Sequence, residues 1–387
     1  MRPAPQMVRL SLLIALASAP AAAQTGGQRL RDRVTDLLTA AQRDSAFPGA
    51  IAVIGRRDTI LATVAVGRID WDRAAPRPTS ETVWDLASLT KVVGTTSAVL
   101  QLVADGRLSL DAPVGRSLPE WRGAADSSVR VRQLLTHSAG LPAWRALYKE
   151  ATSPADARQI ALATAADTLP NVRTLYSDLD FIFLGFIVER ITGMSLDRYL
   201  VANVFDVVGM PSTRYLPPVA WRPRIAPTEI DPWRQRQLRG EVHDENAFAL
   251  GGVSGHAGLF SSAADLSRLA QAYLRWGRVG RRQLFDSSTI GAFISPQAMP
   301  APRRGLGWEV PTGGNSAGTL LSTADQAFGH TGFTGTSIWI APRRDLFVLL
   351  LTNRVNPTRE NRKIGAVRTA LVDAVVTLAA PVGPSTR

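Results

Sequence analysis

Apolar residues at Leu30, Val34, Leu37 and Leu38 recur at helical spacing, so residues 28–43 are predicted to form an amphipathic helix. Two β-rich runs follow, residues 49–55 and 59–66, with Arg56-Arg57-Asp58 joining them as a hairpin. Residues 92–104 are apolar nearly all round, the pattern of a buried helix, and Gly106 ends it. From about residue 111 to 274 the chain reads as helix and loop with many prolines. Residues 181–192 and 196–204 are predicted helices separated by Gly193, and residues 265–276 are another. Prolines between Pro211 and Pro232 mark an extended loop region. β-rich runs return at 305–310, 335–340 and 346–353, with a turn at Ala341-Pro342-Arg343-Arg344-Asp345 between the last two. A final helix is predicted over 363–379.

Strands at both ends and helices between them predict an α/β (α+β) fold. One antiparallel sheet is built from residues 24–110 and 300–387 and flanked by helices, and residues 111–299 form a mainly helical insertion. Ahead of this domain, residues 1–23 read as a secretory signal peptide. Arg2 and Arg9 are its basic region, residues 11–18 its apolar stretch, and Ala21-Ala22-Ala23 its small-residue cleavage site. The apolar stretch is too short to span a bilayer, and no later segment resembles a membrane span. The expectation is a secreted, periplasmic protein of residues 24–387.

Composition removes several classes of chemistry. Cysteine is absent, which excludes disulfides, thiol nucleophiles and thiolate metal sites. The net charge is +12, and loss of residues 1–23 removes two arginines and no acids, leaving +10. Such a charge suits an anionic cell-wall polymer or membrane, but the arginines are scattered, which also fits simple coding bias. No basic helix or nucleic-acid-binding signature appears, so no nucleic-acid partner is expected.

One short motif stands out against that arginine-rich background. Of 44 basic residues only Lys91, Lys149 and Lys363 are lysine, and Ser88-Leu89-Thr90-Lys91 is the one place where a serine precedes a lysine by three. Lysine can lose its proton inside a protein and arginine cannot. Residues three apart on a helix share a face, so the motif sets a hydroxyl beside an amine, the minimum for an activated serine. A helix start at Ser88 would also offer an unpaired backbone N–H to a developing oxyanion. Alone, such a motif is more often an N-cap serine with an incidental lysine. Tyr176-Ser177-Asp178 adds a phenol that a lysine could hold ionised, although a tyrosine before a helix usually only packs. His330-Thr331-Gly332 precedes a β-rich run, where Gly332 and Gly335 allow close backbone approach along a strand edge.

In this order the three elements resemble those of the serine β-lactamase and penicillin-binding superfamily, in particular its class C β-lactamase and D-alanyl-D-alanine carboxypeptidase branch. Leu134-Leu135-Thr136-His137-Ser138-Ala139-Gly140-Leu141-Pro142, Val208-Gly209-Met210 and Gly258-Leu259-Phe260-Ser261 extend the likeness over roughly residues 30–380. The resemblance implies a β-lactamase/transpeptidase-like fold without a cofactor. It makes Ser88 the acylated nucleophile, with Lys91 and Tyr176 sharing proton transfer. The backbone N–H groups of Ser88 and Phe333 would form the oxyanion hole, and Asp178, Thr331 and Gly332 would line the substrate. His330 stands where the branch commonly has lysine, and would orient Tyr176 and the substrate carboxylate. Asp178 stands where the branch usually has Asn; an Asp there would favour the charged form of Lys91 and move the base role toward Tyr176.

Two further segments, Glu241-Val242-His243-Asp244-Glu245-Asn246-Ala247 and Gly251-Gly252-Val253-Ser254-Gly255-His256-Ala257-Gly258, look like those of low-molecular-mass penicillin-binding proteins and muropeptide-processing hydrolases. His243, Asp244 and His256 have the side chains to bind zinc, or they brace a loop over the site by hydrogen bonds. The function expected is a periplasmic serine hydrolase acting through an acyl-enzyme on peptidoglycan-derived peptides, as a carboxypeptidase or amidase, with β-lactams as acylating ligands. An esterase or weak β-lactamase on the same machinery is the alternative, with small acyl substrates. A non-catalytic β-lactam- or cell-wall-binding module is opposed by Ser88, Lys91 and Tyr176 occurring together.

Overall fold

The computed structural model describes residues 21–121, 128–297, 299–313 and 315–379. All but the last three residues of the expected signal segment lie outside them.

Helix α1 (Ala21–Arg43) starts seven residues ahead of the predicted 28–43 and runs into the hairpin β1 (Gly49–Gly55) and β2 (Ile60–Gly67), whose strands lie within one residue of the predicted bounds. Near the other end come β3 (Phe328–Thr331), β4 (Ser337–Ala341) and β5 (Leu346–Thr352). These form one antiparallel sheet in the order β2-β1-β5-β4-β3, so the two chain ends meet where β1 pairs with β5. The register sets Ile51 against Leu351 and Val53 against Leu349.

Side chains alternate between the faces of this sheet. Ala50, Ala52, Ile54, Val348 and Leu350 pack with Leu30, Val34 and Leu38 of α1 and with the C-terminal helix Ile364–Leu378. Ile51, Val53, Leu349 and Leu351 join the larger core of the helical insertion. Both faces are therefore covered, which is why β1 and β5 are buried at every position.

Within the insertion, α2 (Thr96–Ala104) is preceded by one wide π-type turn, Lys91–Thr95, whose residues are all buried. Helix α3 (Asp178–Thr192) is the central helix of this part, buried from Leu179 to Val188 and ended by Gly193 in the left-handed conformation at φ 69°. A later helix, Ala263–Leu274, spans most of the stretch predicted over 265–276. The short strand Val83–Asp85 pairs with Phe260–Ser262 and leads straight into the Ser88 turn.

One predicted strand is absent. Residues 305–310 make only isolated bridges, Arg304 with Glu309 and Glu309 with Gly329. Gly305 N–H bonds Trp308 O at 3.0 Å and Gly307 adopts φ 85°, so the run is a tight turn rather than an extended segment. A Cβ on Gly307 would lie 2.1 Å from Thr96 Oγ1, so this turn is seated directly on α2.

Candidate active site

The site begins with Asp85 at the end of its short strand. Its buried carboxylate accepts N–H from Ala87 at 2.8 Å and from His243 at 2.7 Å. The first bond closes a turn that holds Ala87 at φ 47°, an uncommon conformation for a residue with a Cβ. Ser88 follows on that turn, immediately ahead of the helical segment.

Lys91 lies wholly inside the protein, below Ser88. Its Nζ donates to Ser88 Oγ at 3.0 Å, to Asp178 Oδ1 at 2.7 Å and to His256 O at 3.3 Å. All of its protons are thereby placed, as an ammonium requires. Burial favours the neutral amine, but the negative charge of Asp178, and after it Tyr176, outweighs burial and the pKa is pushed up to about 12. Lys91 is therefore charged at neutral pH, as Asp178 at this position predicts.

Tyr176 precedes α3 and brings its phenol to the same point. Lys91 Nζ lies 4.8 Å from its ring centre, and Tyr176 lines the same cavity as Ser88. Burial raises the phenol pKa, and the Lys91 charge acts against that rise. The ring is flanked by His137 at 4.5 Å, His330 at 5.9 Å and the Arg304 guanidinium at 5.7 Å between centres.

His330 is on β3. Its Nδ1 donates to Thr331 O at 2.8 Å, and its Nε2 is buried without a partner. Burial, and then the charges of Arg304 and Lys91, hold its pKa well below the ordinary range. His330 is thus a neutral imidazole and does not reproduce the charge of the lysine it stands in for. Positive charge beside the site comes from arginines instead.

The end of β3 is fastened to the Ser88 turn. Thr334 Oγ1 donates to Asp85 O at 2.7 Å and Thr336 Oγ1 to Leu86 O at 3.0 Å. A Cβ on Gly332 would meet Thr336 Oγ1 at 2.1 Å and Leu86 O at 2.3 Å, so only glycine permits this approach. Among the described residues neither Ser88 N–H nor Phe333 N–H has an acceptor within the fold. A cavity of about 350 Å³ opens here, lined by Ser88, Tyr176, His330, Thr331, Gly332 and Phe333 together with Glu309, Arg354 and Arg368.

The expected trio of His243, Asp244 and His256 does not come together. His243 Nε2 turns to Glu229 Oε2 at 2.9 Å, and its ring stacks on Phe333 at 5.7 Å. His256 Nε2 pairs with Asp244 Oδ1 at 2.9 Å, and its Nδ1 meets Ser254 Oγ at 2.8 Å. Asp244 also caps the helix Glu245–Ala249 by accepting from Ala247 N–H at 2.8 Å. Among the described residues, the group whose ligand atoms do lie within 4.8 Å of one another is Asp178, Asp244 and His256. His243 and Asp244 both line a cavity at Ser88, but their side chains take different partners, which spacing alone does not reveal.

Three features of the site carried little or no signal in the sequence. His137, held at φ 56°, supports Tyr176 from below, and its Nδ1 accepts from Ser177 N–H at 3.1 Å. The same Nδ1 faces the buried Asp180 carboxyl at 3.2 Å, whose pKa burial pushes well above the usual range. Glu229, the partner of His243, also receives Arg359 Nε at 2.7 Å. Arg304, Arg354 and Arg368 were hidden among the chain's many arginines. Only His137 had a visible hint, in the stretch 134–142.

A five-stranded antiparallel sheet with a helical insertion, and a serine bonded to a buried lysine at their junction, define a β-lactamase-fold serine hydrolase. The chain belongs to the Beta-lactamase family, whose profile matches residues 32–372. It is 33% identical over 351 residues to an Escherichia coli (strain K12) protein named "Putative D-alanyl-D-alanine carboxypeptidase", covering 81% of this chain and 80% of that one. A Salmonella agona (strain SL483) protein of the same name is 30% identical over 357 residues, covering 84% and 82%. Among solved structures, EstCE1, described as a hydrolase with promiscuous acyltransferase activity, superposes with a TM-score of 0.74 at 21% identity over 91% of this chain and 100% of that one. A penicillin-binding protein homologue from Caulobacter crescentus gives 0.71 at 18% identity over 90% and 97%. These two share the fold.

Proposed function

We propose that the protein is a periplasmic serine peptidase of the D-alanyl-D-alanine carboxypeptidase type, acting on peptidoglycan-derived peptides through an acyl-enzyme on Ser88. The observation that carries the reading is the 3.0 Å bond between Lys91 Nζ and Ser88 Oγ at the floor of an open cavity. Ser88 Oγ attacks the scissile carbonyl carbon and its proton passes to Tyr176, whose ionised form the Lys91 ammonium stabilises. The oxyanion is held by the N–H groups of Ser88 and Phe333. The amine departs with the proton returned from Tyr176, and water then cleaves the ester on Ser88. Relatives named as carboxypeptidases support the peptide substrate. A basic, apolar leader over residues 1–23 supports export, with the mature chain starting at Gln24.

The reaction needs no metal. Asp178, Asp244 and His256 are grouped closely enough to hold one, but the Lys91 ammonium already occupies Asp178 at 2.7 Å and repels a second cation. Chelators leave the activity unchanged in this reading. A fluorescent penicillin labels the wild type and not Ser88→Ala; equal labelling of both would sink the acyl-enzyme. An esterase reading is favoured by one observation, that Asp178 presents a carboxylate where the branch usually has an amide donor. Turnover of p-nitrophenyl esters without release of D-Ala from D-Ala-D-Ala peptides selects it.

A further inference from the structure

A second cavity, of about 370 Å³, lies beside the first, and Phe333, Arg354 and Arg368 form walls of both. Its other walls include Arg359 and Arg362. The charges on these arginines are unequally matched. Arg359 is committed to Glu229 at 2.6 Å and Glu245 at 2.7 Å. Arg362 lies in solvent, 3.9 Å from Glu360, which also lines the cavity.

Arg354 and Arg368 differ from both. Among the described residues neither has a carboxylate within 4.0 Å. Arg354 is only 6% exposed, stacks on the Phe333 ring at 4.2 Å and donates to the carbonyls of Phe333, Arg359 and Asn361. Arg368 donates Nη2 to Gly332 O and Thr336 O, while its Nε is buried without a partner. Burial holds both guanidiniums down to about 10, and Arg354 adds to that effect on Arg368. Glu360 lines this cavity and Glu309 the first, but neither comes within 4.0 Å of Arg354 or Arg368, so positive charge stays in excess here and favours an anion arriving from outside.

We propose that this second cavity is a subsite for a carboxylate that the substrate carries away from its scissile bond, on the far side of Phe333 from Ser88. Their bonds to carbonyls leave Arg354 Nη2 and Arg368 Nη1 to donate, and a carboxylate can accept from both as charge-assisted bonds, which a neutral amide cannot reproduce. The subsite is separate from the strand edge at Thr331. It deepens the peptidase reading and rests on it, since it narrows the substrate to peptides bearing an additional acidic group. Selectivity for the acid over the amide is about tenfold or more, the range of a hydrogen bond to a charged group.

The test uses two pairs of chromogenic thioesters on the full-length protein. One pair differs only in carboxylate against carboxamide at the end of the acyl part, and the other pair differs likewise in the leaving group. One pair shows the acid preferred about tenfold or more in kcat/KM, and the ratio collapses toward one in Arg368→Gln and falls in Arg362→Gln. The ratio is internal to each variant, so a general loss of activity does not imitate the result. Equal rates within both pairs overturn the subsite. If none of the four turns over, the acyl-enzyme reading fails separately, and calorimetric titration of Ser88→Ala with the same compounds still decides the subsite. Acids that bind no tighter than their amides there overturn it.

Discussion

Lys91 gives its shortest hydrogen bond to Asp178, 2.7 Å from Nζ to Oδ1, and not to Ser88. The carboxylate therefore favours the charged form of the lysine beneath Ser88. It keeps Lys91 charged and, by its own negative charge, also raises the phenol of Tyr176. Ser88 has no unprotonated base beside it until the Lys91–Tyr176 pair loses a proton.

Activity accordingly rises with pH through and beyond neutrality. Asp178→Asn removes the charge that raises both groups, so both pKa values fall and the rising limb of kcat/KM moves to lower pH. A pH–rate profile of the variant reads this directly. An unmoved limb would show that Asp178 does not govern the base.

Gly332→Ala brings a Cβ to 2.1 Å from Thr336 Oγ1 and 2.3 Å from Leu86 O. The loop carrying Phe333 must shift, at a cost of about 1–3 kcal/mol. If Phe333 N–H moves off the oxyanion, kcat falls by about 10²–10³. Urea unfolding and single-turnover acylation separate the two effects.

Asp85→Ala leaves the N–H groups of Ala87 and His243 without their buried acceptor. Each unsatisfied group costs about 1–3 kcal/mol. The Ala87 turn also loses the bond that closes it, so acylation of Ser88 slows along with the fall in stability. A variant as stable and as reactive as the wild type would refute the role of this turn.

Glu229 supplies a pH-dependent part of stability. Burial alone would raise its pKa, but bonds from His243 and Arg359 lower it from 4.5 to about 2. A carboxylate depressed in the folded state stabilises above its unfolded pKa, and that contribution is lost as pH falls from about 4.5 toward 2. Denaturant titrations at pH 6 and pH 3 therefore show a smaller gap between wild type and Glu229→Gln at the lower pH. A gap that stays constant would argue against the linkage.

Much of this was legible in the chain. The hairpin at 49–67, α3 and the strands near the C-terminus follow from apolar period and turn residues, which act locally. Residues 305–310 misled because Gly305 and Gly307 break a β-rich run into a turn, which packs against Thr96 of α2. The Asp178 effect on Lys91 was readable because both residues belong to recognisable motifs.

By itself the sequence determined most of the elements, their arrangement as one sheet from two chain ends, and the motifs at Ser88, Tyr176 and His330. The tertiary structure alone decided that His330 is neutral, that Asp178 rather than His243 joins Asp244 and His256, and that Arg354 and Arg368, of the arginines lining the second cavity, have no carboxylate within 4.0 Å. Periodicity and turn chemistry are properties of neighbouring residues. Charge state and partner choice depend on burial and on distances of a few ångströms between segments far apart in the chain, and one arginine reads like another until the fold removes its water.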